Sequence, residues 1–305
     1  MNRSCNLSNS GGYTLPPCPL PGQGVHRWLL SAANHARWQG ASPEVASELI
    51  RQSMTRAPQR GEIESTVAKA FGEISRVFRS IQSASTRRTN DPNHSAARGE
   101  TQDDILIEEV TKSGFSYKDL AQINPHPRSK WLSRRTVLSA LFPAGSLLCC
   151  AREKEHRATT QPLEAFGEFE NFRFIVPQPM TALTGLTAEG KVSPRTKANT
   201  GAWRFFVYES DTLSFDLQAA AIYELAHYHP LALVVYSGNR SLQAWFYVAN
   251  LAENELNRFK CLAVRLGGCK GPLYRGQLVR MPGGWNKKTG KDQTVMFFNP
   301  SAIHP

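Results

Sequence analysis

The sequence predicts a mixed helix-and-sheet domain, α/β or α+β, preceded by a small helical module. Three observations carry this. Apolar residues recur at helical spacing between residues 25 and 74. Strand-like and helix-like segments interleave from about residue 105 onward. Between the two regions, "QSASTRRTNDPNHSAARGETQD" holds almost no large apolar residue. The chain has 305 residues, 41% of them hydrophobic, enough to bury the core of one large domain or two modest ones.

Residues 1–24, rich in Pro, Gly, Ser and Asn, predict a disordered tail. In the helical module at 25–80, Ser42-Pro43 supplies an N-cap and a first-turn proline, and Val45, Leu49 and Ile50 share a face. Pro58 and Gly61 mark a break, after which Ile63, Val67, Ala70, Phe71 and Ile74 form a second stripe. This spacing predicts three or four short helices packed on each other. Residues 81–104 predict a linker and 105–305 a single sheet domain. There "SRRTVLSALFP" predicts a helix stopped at Pro143, and "SLLCCA" and "FRFIVP" predict strands. Residues 178–202 predict a loop. "WRFFVYES" predicts a strand, and "SFDLQAAAIYELAHYH" a helix ending at Pro230. "LALVVYS" and "LQAWFYVA" predict a hairpin, and "NELNRFKCLAVRLGG" a helix closed by glycines. "QLVRMPGG" and "DQTVMFFNP" predict short closing strands.

The formal net charge is +11, and residues 225–305 carry ten Lys/Arg against three acids. Such an excess favours a polyanionic partner, nucleic acid first, with phosphate contacts concentrated near the C-terminus. The six cysteines form no Cys-x-x-Cys pair, which argues against structural zinc, and their spacing does not suggest a secreted disulfide framework. The N-terminus lacks the apolar core of a signal peptide. The longest apolar stretch, Thr136–Ala151, is broken by Pro143 and Gly145 and too short to span a bilayer. These features predict a soluble, cytoplasmic protein without a membrane partner.

Four segments carry candidate chemistry. Gly185, Gly190 and Lys191 have the spacing of a phosphate loop, but Val192 stands where a magnesium-binding hydroxyl belongs, and Pro194 spoils the helix start. Glu209 and Asp211 lie at a strand end. Two carboxylates on one side there need solvent or a cation such as Mg²⁺ or Mn²⁺, although Asp211 or Ser214 could instead cap the next helix. Ser237, Asn239, Arg240 and Ser241 cluster at the hairpin turn, where a guanidinium, hydroxyls and backbone N–H groups suit a nucleotide phosphate. Arg280, a Pro-Gly-Gly turn, Trp285, Lys287, Lys288 and Lys291 set basic groups beside an aromatic, as suits a single nucleic-acid strand. Glu224, His227 and His229 read as a helix end rather than a metal site.

The order of "FFVYESDTLSFDLQ", "LALVVYSGNRSLQAWFYV" and "LGG…GQLVRMPGGWNKKTGKDQTVMFFNP" resembles the archaeo-eukaryotic primase superfamily, nearest to primase–polymerase-like proteins of phages, plasmids and other mobile elements. The resemblance covers about residues 105–305. It implies an α+β fold, a split sheet with an RRM-like half. It implies a DNA-dependent nucleotidyltransferase that makes or extends primers, with Glu209 and Asp211 holding Mg²⁺ or Mn²⁺. Ser237, Asn239, Arg240 and Ser241 match the nucleotide-binding turn. Gln243 stands where the family has a histidine facing the nucleotide, and Arg280 with the lysines matches the template side. The third acidic position reads Cys269-Lys270, with no acid nearby. The implied partners are a single-stranded DNA template, nucleoside triphosphates and a replicative helicase. A glutamine cannot be a cation or exchange a proton, and a missing carboxylate weakens metal binding. The same resemblance therefore also admits a catalytically degenerate relative that binds nucleic acid or nucleotide as a replication accessory. The segment at 25–74, ending "GEIESTVAKAFG", resembles helical modules attached to primases, which aid template engagement.

Overall fold

The computed structural model describes residues 15, 18–20, 25–38, 41–72, 101–153 and 158–303. Most of the expected tail and most of the expected linker lie outside these residues, as does Ile74. The chain divides into two compact units, Met1–Ser80 with Pro305, and Ile81–His304.

The first unit packs α1 (Val25–Trp38), α2 (Pro43–Ser53) and α3 (Glu62–Gly72) on one another. Ser42 Oγ accepts from Val45 N–H at 3.3 Å and Pro43 opens the helix, so α2 starts where its cap residues dictate. Leu29, Ala32, Ala36, Ala46, Ile50, Ile63 and Val67 form the core. Its many alanines let the three axes approach closely, and Arg37 Nη1 donates to Ala70 O at 2.7 Å, tying α1 to α3.

The second unit is α+β with antiparallel sheets. It opens with α4 (Asp104–Thr111), α5 (Tyr117–Gln122) and α6 (Arg134–Leu141). One four-stranded sheet runs in the order β2 (Ala158–Pro162), β1 (Leu147–Ala151), β3 (Phe174–Ile175), β9 (Val279–Arg280). The other runs β12 (Val295–Phe298), β7 (Leu231–Tyr236), β8 (Leu242–Tyr247), β6 (Phe205–Glu209). Residues expected as one loop, 178–202, contain a short hairpin of β4 (Gly185–Leu186) and β5 (Val192–Ser193), with Gly190 at φ 74° in its turn. Two-residue strands leave no hydrophobic alternation to read. A second small hairpin, β10 (Trp285–Asn286) with β11 (Lys291–Asp292), presents the lysine cluster.

Between β6 and β7 runs α7 (Phe215–Ala226), and after β8 comes α8 (Glu253–Arg265). Because β8 lies between β6 and β7, α7 is the crossover of a split β-α-β unit. One face of this sheet meets α8, where Phe206 and Phe246 pack edge-on against Phe259. The opposite face sends Phe205, Val207, Leu233, Val235 and Trp245 into a core shared with Leu148, Cys150, Ile175 and Val279 of the other sheet and with α6. The strands are buried on both faces, so "LALVVY" is apolar throughout rather than alternating. No helix among the described residues is long and apolar enough to cross a membrane.

Arg134 fastens α6 to two loops. Its Nε donates to Gly283 O at 2.8 Å, and its Nη1 donates to Phe169 O at 2.5 Å and Glu170 O at 2.9 Å. Phe169 is held at φ 59°, a left-handed conformation that costs a bulky residue about 1–2 kcal/mol. Its buried ring, stacked on Phe166 at 4.9 Å, helps offset that cost. Arg134→Met removes four charge-assisted bonds, the fourth to Phe172 O at 3.4 Å, and is expected to lower the unfolding free energy by about 2–4 kcal/mol. Urea unfolding of the full chain measures this, and an unchanged midpoint would refute it.

Candidate functional site

The two sheets approach where β9 passes β8, and a polar crevice of about 250 Å³ opens there. Glu209, Asp211, Gln243, Arg240, Arg280 and Lys288 all line it. Glu209 ends β6 and lies directly across from Gln243 in the β6–β8 register. The Gln243 side chain hydrogen-bonds the Glu209 carboxyl on one side. On the other, its Oε1 accepts from Arg280 N–H at 2.8 Å. The amide thus joins the two sheets at the crevice floor.

Glu209 Oε1 also accepts from Ser241 Oγ at 2.8 Å. Burial pushes the Glu209 carboxyl above its ordinary range, and the negative charge of Asp211 adds to this. The hydrogen bonds from Gln243 and Ser241 and the charge of Arg280 oppose the rise. Asp211 lies two residues beyond the strand end, exposed, on the same crevice. Cys269 N–H donates to Glu209 O at 2.7 Å, and its Sγ approaches Asp211 Oδ2 at 3.8 Å. Burial and the Asp211 charge push this thiol up to about 11. Arg280 is set over the Phe174 ring at 4.9 Å. Burial lowers its pKa while Glu209 and Asp211 hold it up, so the guanidinium and the two acids stabilise one another.

The turn after β7 is gripped from three directions. Ser237 and Ser241 are nearly fully buried, and their hydroxyls meet at 2.9 Å. Gly238 sits at φ 75°, and a Cβ there would come within 2.9 Å of Lys291 O and of Asn286 Cβ. Asn286 Nδ2 donates to Ser237 O at 2.9 Å, and Thr289 Oγ1 to Gly238 O at 2.6 Å. From α7, the fully buried Gln218 donates through Nε2 to Leu213 O at 2.7 Å and Arg240 O at 2.8 Å. Its Oε1 accepts from Leu242 N–H at 2.7 Å. Asn239 and Arg240 are left exposed at the rim.

Of the residues singled out in the sequence, the crevice gathers Glu209, Asp211, Ser237, Asn239, Arg240, Ser241, Gln243, Arg280 and Lys288. Lys287 and Lys291 are exposed on the same β10–β11 hairpin without lining it. Glu224, His227 and His229 stay at the end of α7, with His227 Nδ1 3.5 Å from Glu224 Oε2 and His229 edge-on to Phe259 at 4.5 Å. Gln218 and Asn286 were not singled out. An amide alone in the apolar run "DLQAAAIYELA" was the available signal for Gln218. Asn286, next to a lysine pair, gave none.

Glu209 and Asp211 are hard oxygen donors, and Mg²⁺ is commonly held by one or two carboxylates with water and substrate phosphate completing its shell. The donor set fits such a cation, which would also relieve the mutual repulsion that helps raise Glu209. Cys269, soft and protonated, adds nothing for it. Among the described residues no group of three or more His, Cys, Asp or Glu is placed to hold a metal. Compared with protein-family models, with curated proteins and with solved structures, the chain matches none.

Two outcomes follow. Gln218→Leu removes two hydrogen bonds to the turn and one to Leu213 O, and should cost about 2–4 kcal/mol in urea unfolding. A loss below about 0.5 kcal/mol would mean the turn holds its shape without the clamp. The second concerns pH in chelator-containing buffer. Above the ordinary carboxyl value of 4.5, the native chain keeps a proton on Glu209 that the unfolded chain has released. Stability is therefore lost as pH rises through the raised Glu209 pKa. Glu209→Gln lacks this loss, so its melting temperature should gain on the wild type as pH climbs from 4.5 through that pKa. A gap independent of pH would contradict the assignment.

Proposed function

We propose that the second unit is a primase–polymerase-like nucleotidyltransferase that adds nucleotides to a primer on a single-stranded DNA template, with the split sheet and RRM-like half of that superfamily. The observation that carries this reading is the convergence of Glu209, Asp211, Gln243, Arg240, Arg280 and Lys288 on one crevice, from segments up to 79 residues apart in sequence. The strand order β7-β8-β6 with α7 as crossover supports the fold assignment.

In this reading Arg240 and Lys288 bind the triphosphate from the rim, where both are exposed. Arg280 supplies fixed positive charge opposite the acids, and the lysine-bearing hairpin holds the template backbone. Ser241 and Gln243 orient Glu209 from two sides. Glu209 and Asp211 would hold a divalent ion, which would supply neutralisation of the charge on the reacting phosphate oxygens. The protein's share is positioning and charge, as phosphoryl transfer requires.

A second reading, a non-catalytic replication accessory that binds nucleic acid or nucleotide, is favoured by two specific contacts. Gln243 Oε1 is already engaged by Arg280 N–H, and the thiol of Cys269 stands beside Asp211 where the family has an acid. A template-dependent primer-synthesis assay with Mn²⁺ separates the two. Incorporation by the wild type that falls to background in Asp211→Ala supports catalysis. Salt-sensitive DNA binding without incorporation supports the accessory. Neither activity would sink both.

A further inference from the structure

A second cavity, of about 410 Å³, lies at the far end of the central strands from the polar crevice. Trp203 precedes β6 and Val248 follows β8, whereas the crevice residues Glu209 and Gln243 occupy the other ends of the same strands. At about 3.3 Å per residue, β6 alone separates the two places by roughly 13 Å. The remaining wall comes from α8, through Glu253, Asn257 and Lys260, and from Arg275 in the loop before β9.

Lys260 is the unusual member. It is 4% exposed, and its Nζ lies 3.8 Å from the centroid of the Trp203 ring. Among the described residues no carboxylate or carbonyl accepts a hydrogen bond from that Nζ. An ammonium has three N–H donors, and one ring face cannot take them all. The remaining donors face the cavity, open to water or to an anionic ligand. Burial brings its pKa down to about 8; the charge of Glu253 opposes the fall and that of Arg275 assists it. Arg275 is exposed on the rim, with Nη1 donating to Gly201 O at 3.2 Å. Two cations, an aromatic ring and the Asn257 amide against the single acid Glu253 leave the cavity positive. Its volume exceeds that of a bare ion and falls in the range that holds a small organic ligand.

We propose that this cavity is a separate phosphate-binding site, in which Lys260 and Arg275 take a phosphate group and Trp203 takes the ring of the molecule that carries it. The phosphate belongs either to a free nucleotide-sized phosphomonoester or to the backbone of a single nucleic-acid strand. Both offer an oxyanion next to a planar base, and their chemistry at Lys260 is the same. The site stands whether or not the crevice is catalytic.

The test reads Lys260 itself. The full-length chain is treated with formaldehyde and cyanoborohydride, and methylation of Lys260 is followed by peptide mass spectrometry. The amine condenses with the aldehyde to an imine, releasing water, and the borohydride delivers the hydride that reduces it. Lys260 is expected to react in the free chain. A nucleoside monophosphate, a ten-nucleotide single-stranded DNA, or both should slow that reaction at least fivefold, and Arg275→Gln should abolish the protection. Protection by the monophosphate assigns a small phosphorylated ligand; protection by the oligonucleotide alone assigns a strand. A Lys260 that does not react in the folded chain, one whose rate neither probe changes, or protection that persists in Arg275→Gln overturns the proposal. Arg275 is exposed, so this variant does not disturb the core.

Discussion

The contact on which the rest of the crevice depends is the bridge made by one amide. Gln243 faces Glu209 across the β6–β8 ladder and accepts from the backbone of β9. Its donor and acceptor are used on different sheets, and an amide does so without titrating. A histidine there could make one of these contacts as donor and the other as acceptor only in a single tautomer, and would lose the acceptor on protonation. Glutamine at this position is therefore a splice between the sheets that does not titrate. It also leaves the half-buried Glu209 as the titrating group of the floor, with Arg280 as its charge partner.

Much of the second unit could be read from the chain alone, for physical reasons. β6, β7 and β8 are apolar runs bounded by turn formers, α7 begins at Ser214, whose Oγ accepts from Leu217 N–H, and α8 ends on glycines. Local signals and tertiary packing agree there. The short hairpins β4–β5 and β10–β11 were not legible, because two-residue ladders carry no period. Gathering the site residues into one crevice was legible only through the order of segments. No local rule says that β9, from one sheet, passes beside β8, from the other.

Side-chain roles were less legible than positions. Ser237 and Ser241 stood out as hydroxyls near a basic turn. In the structure they bond each other, and Ser241 supports Glu209, so they also build the floor from within. Asp211 and Glu209 look equivalent on paper, but Asp211 is exposed and Glu209 half-buried, because β6 ends between them. Burial of Lys260 beneath Trp203 was invisible, since the lysine sits in a charged helix whose facing residue is 57 positions away.

The lysine-bearing hairpin and the Arg240 turn are stitched together through carbonyls: Asn286 holds Ser237 O, Thr289 holds Gly238 O, and Gly238 has no room for a side chain between them. Rim and floor are consequently one mechanical body. A displacement of the lysine hairpin is therefore carried through two backbone anchors to the turn that bears Arg240.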